Sequence, residues 1–471
     1  MSFHSLEFGL FFALVVTVYC LVPAARRVPV LLAASLLFYL SFAAQNIYVL
    51  AGLIVASYAT GALIERASGP RLRKFWLIFA LAIDIGLMAI FKYSPDVIGR
   101  SFGAIPIGLS FHAFQAMSYA VDIYRGRQRA ERSFPVFALY IMFFPQICAG
   151  PIERPGDMLP QFHKPQPLRY ADAVAGLQLM VWGIFQKYVV SAYLARVVDS
   201  IYDSPEKLSG PITAFGAVCF SFQIFCDFAG YSEIAMGAAQ VLGLRLTRNF
   251  HAPFHSDSMA EYWKRWHISL SNWMRDYVFF PLCGRRPHMP RICASIILVF
   301  LANALWHGAR LNYLASGLLH GTYRVTELLS GRAMSRAGWR LDDRWQQPVK
   351  LARTLLVFFL MTFAFIFFRG RDLSDSLRVV ARLFAGWGAL LHPAAIAAEI
   401  MRTRLPAYSM IIAIGLILVI EAVQWLRSAG PLRPRIAALP FWWRWSLYYA
   451  GAAAALLLVP PKVAPFIYFS F

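Results

Sequence analysis

Val49-Leu50-Ala51-Gly52-Leu53-Ile54-Val55-Ala56-Ser57-Tyr58-Ala59-Thr60-Gly61-Ala62-Leu63-Ile64 runs without a charge or a proline and stops at Glu65-Arg66. A helix needs ~20 apolar residues to cross a hydrocarbon layer roughly 30 Å thick, and this run approaches that length. Working outward, comparable runs occupy Leu6 to Leu21, Val28 to Phe42 and Phe75 to Phe91. They recur near 105–121, 134–149, 171–189, 211–230, 292–306, 311–329, 351–368, 408–426 and 446–460. A soluble core cannot hide about a dozen such segments. Composition agrees, with 59% hydrophobic and 15% charged residues, against about 25% charged in ordinary globular chains. The expectation is an all-α polytopic membrane protein.

The net charge of +21 raises the question of a nucleic-acid partner, since basic surfaces bind phosphates. Its placement argues for no nucleic acid. Arg26 and Arg27, then Arg66, Arg71, Arg73 and Lys74, then Arg125, Arg127, Arg129 and Arg132 fall in alternate short loops. The positive-inside rule puts those loops in the cytoplasm and the N-terminus outside, periplasmic in a bacterial inner membrane. Anionic headgroups of the lipid bilayer are the natural counter-charge. The first apolar run lacks a basic n-region and a small-residue cleavage site, so a cleavable signal peptide is not expected. The six cysteines show no metal-type pairing; Cys219 and Cys226 read as small core residues.

One membrane domain over 1–471 is expected: N-terminal helices in 1–135, a catalytic core in 136–330, and C-terminal helices in 331–471. Three regions interrupt the spans. From Phe143 to Phe162, Pro145, Pro151, Pro155 and Pro160 crowd a half-apolar stretch, which predicts a re-entrant or interfacial loop buried against protein. From Arg245 to Arg291, Trp, Tyr, Arg and His mix as in short helices lying in the cytoplasmic interface. From Arg369 to Arg404 the chain reads as amphipathic on the outer face, with basic residues that fit the positive-inside rule poorly.

Ala304-Leu305-Trp306-His307-Gly308-Ala309-Arg310 carries the best-marked chemical residue. An ionisable side chain deep in apolar sequence is costly unless it faces a cavity or a partner. Two readings stand side by side: His307 as a general base in a water-poor tunnel, or as a hydrogen-bonded core histidine. His320, on the following span, has the weaker case. In the stretch Glu261 to Tyr277, Trp263, Trp266, Trp273 and Tyr277 recur at helical spacing, an interfacial belt by itself. His267 lies inside it, with Arg275 and Asp276 a few turns on. Lys264, Arg265 and Arg275 could hold an acidic phosphopantetheine-type donor or touch only headgroups. The spacing of His251 and His255 invites a metal, but Pro253 stands between them and no acidic residue flanks them, so no metal is expected. Asp227 and Glu233, at the end of a long apolar span with Arg245 beyond, read as paired or capping carboxylates, or as a proton relay. No Gly-x-Ser-x-Gly elbow, Walker loop or dinucleotide fingerprint is present.

At these residues the sequence resembles the membrane-bound O-acyltransferase (MBOAT) family, most closely its bacterial branch serving alginate O-acetylation. The stretches that carry the resemblance are Pro106-Ile107-Gly108-Leu109-Ser110-Phe111, Asp122-Ile123-Tyr124-Arg125-Gly126 and Phe144-Pro145-Gln146-Ile147-Cys148-Ala149-Gly150-Pro151-Ile152. Further along come Asp227-Phe228-Ala229-Gly230-Tyr231-Ser232, Arg248-Asn249-Phe250, Trp266-His267-Ile268-Ser269-Leu270-Ser271 and Leu305-Trp306-His307-Gly308. The ending Pro465-Phe466-Ile467-Tyr468-Phe469 is familial too.

The resemblance implies a fold of roughly 11–13 membrane helices, with re-entrant and interfacial helices around a transmembrane tunnel. It makes His307 the family's catalytic histidine and His267 its second histidine, at a position where animal relatives often carry Asn. Trp306, Asn249, Trp266, Ser269, Arg275 and Asp276 then become candidates for binding donor or substrate. No tightly bound cofactor is implied. The donor is acetyl-CoA or another acyl thioester on coenzyme A or an acyl carrier protein, presented from the cytoplasm. Partners implied are a periplasmic SGNH-type esterase-fold protein and a polysaccharide acceptor: alginate, a cellulose-like exopolysaccharide or peptidoglycan. High Arg and Ala content suggests a GC-rich, Gram-negative genome and favours acetyl. The alternatives are D-alanyl transfer to teichoic acid from a carrier-protein thioester, and a proton-coupled transporter using Asp227, Glu233 and His307.

Overall fold

The computed structural model describes every residue except 1, 2, 4, 95–104, 165–166, 339–341, 404, 407, 431 and 459–471, and the backbone alone of 433, 448, 452, 454–456 and 458. The ending Pro465–Phe469 therefore lies outside the described residues. Helices and their connections make up all that is described, with no strand among the described residues. Among the described residues, seven helical stretches are long and apolar enough to cross a membrane: Ala24–Arg66, Pro70–Tyr93, Tyr170–Tyr202, Gly210–Val241, Met289–His307, Asp343–Arg369 and Tyr408–Ser428. Ala24–Arg66 contains two helices, Arg27–Ala43 and Ile47–Arg66, separated by a 3-10 turn. The other expected crossings are shorter, more polar or broken: the run 134–149 is helical only over Phe134–Met142. Leu6–Leu21 and Leu109–Tyr124 are 16 residues each, and Leu311–Arg336 carries Arg324, Glu327 and Arg332.

The chain forms two compact units. Met1–Ile184 with Gly230–Arg248 makes the first. Its leading helix, Leu6–Leu21, is capped where the Ser5 side chain accepts from the Phe8 N–H, satisfying one of the four orphan donors of a helix start. Phe8, Phe38 and Phe144 meet with ring centroids 5.9 Å apart in each adjoining pair. Glycines set another crossing in this unit. A Cβ on Gly176 would stand 2.6 Å from the Gly237 carbonyl oxygen, and one on Gly237 would stand 2.4 Å from that of Gly176. Two helix backbones meet directly there, the small-residue packing on which membrane helices rely.

The proline-rich stretch behaves as its composition predicts. The helix Phe134–Met142 ends before Phe143, and the next, Pro155–His163, begins at a proline. Residues 143–152 between them are buried yet not helical. Irregular backbone at such a place must find partners within the protein. The Phe144 N–H donates to Ser35 Oγ at 3.0 Å, Gly150 N–H donates to the Gln146 carbonyl, and the Gln146 amide donates to the Tyr140 carbonyl at 3.0 Å. Glu153 closes the segment, accepting from the Thr247 N–H at 2.6 Å and bonding the Thr247 hydroxyl at 3.0 Å. Burial pushes its carboxyl up to about 7, and the two Thr247 bonds only partly oppose that rise.

Phe185–Ala229 with Asn249–Ser470 makes the second unit. Here Met289–His307 and Leu311–Arg336 form a tight helical hairpin, in which a Cβ on Gly317 would meet Ala304 Cβ at 2.6 Å. The carboxylates of the apolar run 211–230 differ from their expected place at the end of a span. Gly210–Val241 is one helix of 32 residues, so Asp227 and Glu233 lie inside it. Asp227 pairs with Lys187, both buried. The amphipathic stretch after Arg369 folds as Leu373–Leu383, a 3-10 turn and Pro393–Arg402. Its basic residues have local acidic partners: Arg369 bridges Asp199 at 2.6 Å, and Arg371 bridges Asp203 at 2.9 Å.

Candidate functional site

His307 is the last residue of Met289–His307, where an apolar helix face delivers it into the second unit. Buried itself, it touches the Trp306 ring at 4.5 Å between centroids and meets Phe368 edge to face at 4.9 Å. Gly308 follows, and a Cβ there would strike the Tyr313 ring at 2.9 Å. Only glycine lets the chain turn so closely behind His307.

His267 arrives differently. It stands between two seven-residue helices, Met259–Arg265 and Ile268–Met274, and adopts φ +43° and ψ +54°. A side chain in the left-handed region costs roughly 1–2 kcal/mol, so the surroundings must hold it there. Asn249 does so from both of its ends. Its carbonyl accepts from the Ile268 N–H at 2.9 Å, while its Oδ1 accepts from the Ser269 hydroxyl at 2.7 Å and the Ser269 N–H at 3.2 Å. Phe228 packs edge to face on the imidazole at 4.5 Å. Burial lowers the pKa of His267 to about 3, so the ring is neutral at ordinary pH and offers one N–H and one lone pair.

Both histidines line one cavity of about 40 Å³, with Trp263, Trp266, Asn303, Tyr313, His320, Phe365 and Phe368 among its walls. Trp306 does not line it, but its ring lies 6.0 Å from that of His267 and 4.5 Å from that of His307. The two histidine motifs thus share an indole spacer. Asn249 and Ser269 stand behind the cavity, bonded to each other. Arg275 and Asp276 pair with each other at 2.8 Å and are not among the cavity walls. Arg265 pairs with Glu261. No group of three or more metal-ligating side chains gathers among the described residues; His255 hydrogen-bonds Glu421 at 2.7 Å.

Asn303, Trp263 and Tyr313 are wall residues that the motif reading passed over, and His320 is stronger here than its sequence position suggested. A signal for Asn303 was present. It stands four residues before His307, and therefore on the same helical face. Chemically, the cavity offers three imidazoles, those of His267, His307 and His320, in a small, largely aromatic space, suited to removing a proton from a hydroxyl and to stabilising the oxyanion that forms.

The family model for MBOAT, the membrane-bound O-acyltransferase family, matches residues 112–368, which include both histidines and every wall of the cavity. Among curated proteins, the chain is 33% identical to a probable alginate O-acetylase of Azotobacter vinelandii, over 80% of this chain and 76% of that protein. It is 30% identical to a peptidoglycan O-acetyltransferase of Helicobacter pylori, over 74% of this chain and 72% of the relative. A teichoic acid D-alanyltransferase of Bacillus subtilis is 27% identical over 56% of this chain and 69% of its own length.

Proposed function

Since the chain belongs to the membrane-bound O-acyltransferase family and is a multi-pass O-acyltransferase, we propose that it moves an acetyl group from a cytoplasmic thioester across the bacterial inner membrane. The acetyl group then serves O-acetylation of an extracytoplasmic polysaccharide: alginate, a cellulose-like exopolysaccharide or peptidoglycan. The observation that carries this reading is the shared cavity of His307 and His267. His307 takes the proton of the acceptor hydroxyl as its oxygen attacks the thioester carbonyl carbon. His267, neutral and held by Asn249, donates its N–H to the oxyanion of the tetrahedral intermediate. The carbon–sulfur bond then breaks, and the thiolate leaves with the proton that His307 carried. An ester and a free thiol result.

The acceptor hydroxyl enters from the periplasmic side, on the polymer or on an SGNH-type partner that completes the transfer, and the N-terminus lies outside. Inside-out membrane vesicles supplied with labelled acetyl-CoA or a labelled D-alanyl carrier-protein thioester test the assignment. Label should pass from acetyl-CoA to polymer or partner. Transfer from the D-alanyl thioester alone would replace acetyl with D-alanyl, and transfer from neither would overturn the thioester reading.

A further inference from the structure

A second cavity, of about 370 Å³, is formed by the first unit alone and shares no wall residue with that of the histidines. Its place follows from a helix crossing. Gly176 meets Gly237, and a Cβ on Gly183 would stand 2.5 Å from the Gly230 carbonyl oxygen. The partner's numbers fall as the first helix's rise, so the two helices run antiparallel. Hence the start of Tyr170–Ile184 and the end of Gly210–Val241 lie together at one face of the membrane. Arg169, Asp172, Met236, Gln240, Arg245 and Leu246 are among the walls of the cavity at that place. The backbone there is well fixed. Gly243, at φ +75°, ends the long helix, with its N–H on the Gln240 carbonyl and the Leu244 N–H on that of Ala239. Next, the Gln161 amide grips Arg245 by its main chain, accepting from the N–H at 2.8 Å and donating to the carbonyl at 3.0 Å.

The side chains on this frame are unspent. Those of Arg169, Asp172, Gln240 and Arg245 make no hydrogen bond or ion pair among the described residues. Their chemistry narrows the ligand. Two guanidiniums suit a phosphate, which their forked N–H groups bind in pairs. Asp172 and the Gln240 carbonyl accept only from donors, and a carboxylate calls for a cation. A plain anion would leave Asp172 unanswered, and a plain cation would leave both arginines. The helix ends agree, since the positive start of one and the negative end of the other flank the same cavity. The volume lies within the roughly 300–1,000 Å³ of small-molecule sites. On the first helix Leu177 and Val181 stand exposed, four residues apart, as apolar surface leading away from the cavity into the span.

We propose that this cavity is a binding site for a phospholipid headgroup that carries a primary amine, as in phosphatidylethanolamine. Arg169 and Arg245 hold the phosphodiester. Asp172 and Gln240 accept from the ammonium, and the acyl chains lie along the exposed side of the helix that bears Leu177 and Val181. Bound in this way, the lipid joins two helices that otherwise touch through glycine backbones alone at their crossing, and it steadies the first unit. The site is independent of the acyl-transfer chemistry.

Short-chain lipids test it. The purified full-length protein in detergent is titrated with dihexanoylphosphatidylethanolamine, and the rise in melting temperature with concentration gives a Kd. That Kd should be about tenfold or more below those of the phosphatidylglycerol and phosphatidylcholine of the same chains, which lack an ammonium N–H. Asp172→Asn should weaken the ethanolamine lipid about tenfold and leave the glycerol lipid no weaker. Arg245→Gln should weaken both about tenfold. Arg169→Gln should do the same, and it carries the test if the first arginine variant fails to fold; both arginines are exposed. Equal affinity for the three lipids, or affinities that all three substitutions leave unchanged, would overturn the site. Inorganic phosphate that binds as tightly as the ethanolamine lipid, or coenzyme A that displaces it, would give the cavity to a soluble phosphate and overturn the lipid assignment.

Discussion

Asn249 and Ser269, 20 residues apart in the chain, are joined by two hydrogen bonds, from the Ser269 hydroxyl and from its N–H to the same Asn249 oxygen. With the Ile268 N–H on the Asn249 carbonyl, the pair brackets His267 in its left-handed conformation. Asn249→Ala would strip both Ser269 donors of their acceptor, at about 1–3 kcal/mol. Acyl transfer should fall with it, because His267 loses its support. A cycle with Ser269→Ala should show coupling of roughly 0.5–3 kcal/mol in thermal stability. Additive losses would mean that the two residues act separately.

The backbone of His267 makes a second prediction. Asn occupies the left-handed region more readily than other non-glycine residues, whereas a β-branched side chain there is an outlier. His267→Asn should therefore fold nearly as well as wild type and keep part of its activity through the amide N–H. His267→Val should melt at a lower temperature and lose transfer. Equal melting temperatures for the two variants would remove the case for backbone strain.

The buried Lys187–Asp227 pair should behave as buried pairs do. Lys187→Met removes the positive partner of a buried carboxylate, at about 3–5 kcal/mol. Lys187→Met combined with Asp227→Leu should recover most of that loss, since two apolar side chains replace two desolvated charges. Unfolding of the three variants in detergent reads this directly. A double variant no better than the single would show that Asp227 has a further duty, such as steadying Phe228 against His267.

Glu153 gives the fold a pH dependence. Its carboxyl is raised in the folded state to about 7, so folding favours the protonated form. The stabilisation it contributes is complete below the ordinary carboxylate range, near 4.5, and drains away as pH rises through 7. The difference is on the order of 3 kcal/mol. Melting in detergent should decline between pH 5 and 7.5 in the wild type. Glu153→Gln, which keeps both Thr247 bonds, should flatten that decline; an unchanged slope would assign it to other groups.

Much of this was legible in the chain. Apolar runs announce the helices because a bilayer core leaves a backbone few other options, and Pro145 and Pro155 announce the break between Phe143 and Pro155. The motif around His307 led to the cavity that His307 lines. Other features were not legible, for physical reasons. Lys187 sits inside an apolar run 40 residues before Asp227, and nothing local to either residue names the other. The left-handed turn at His267 is imposed by Asn249 and carries no glycine to mark it. The cavity joins residues from three helices, and only folding brings Trp263, Asn303 and His320 together.

The account stands on His307 as the base that activates the acceptor hydroxyl. The most direct measurement is labelled acetyl transfer by membranes containing His307→Ala, beside wild type, with the melting temperature of each purified protein. The variant should melt like wild type while transfer falls by about 10²–10⁴. A folded His307→Ala protein that transfers acetyl at the wild-type rate would contradict it.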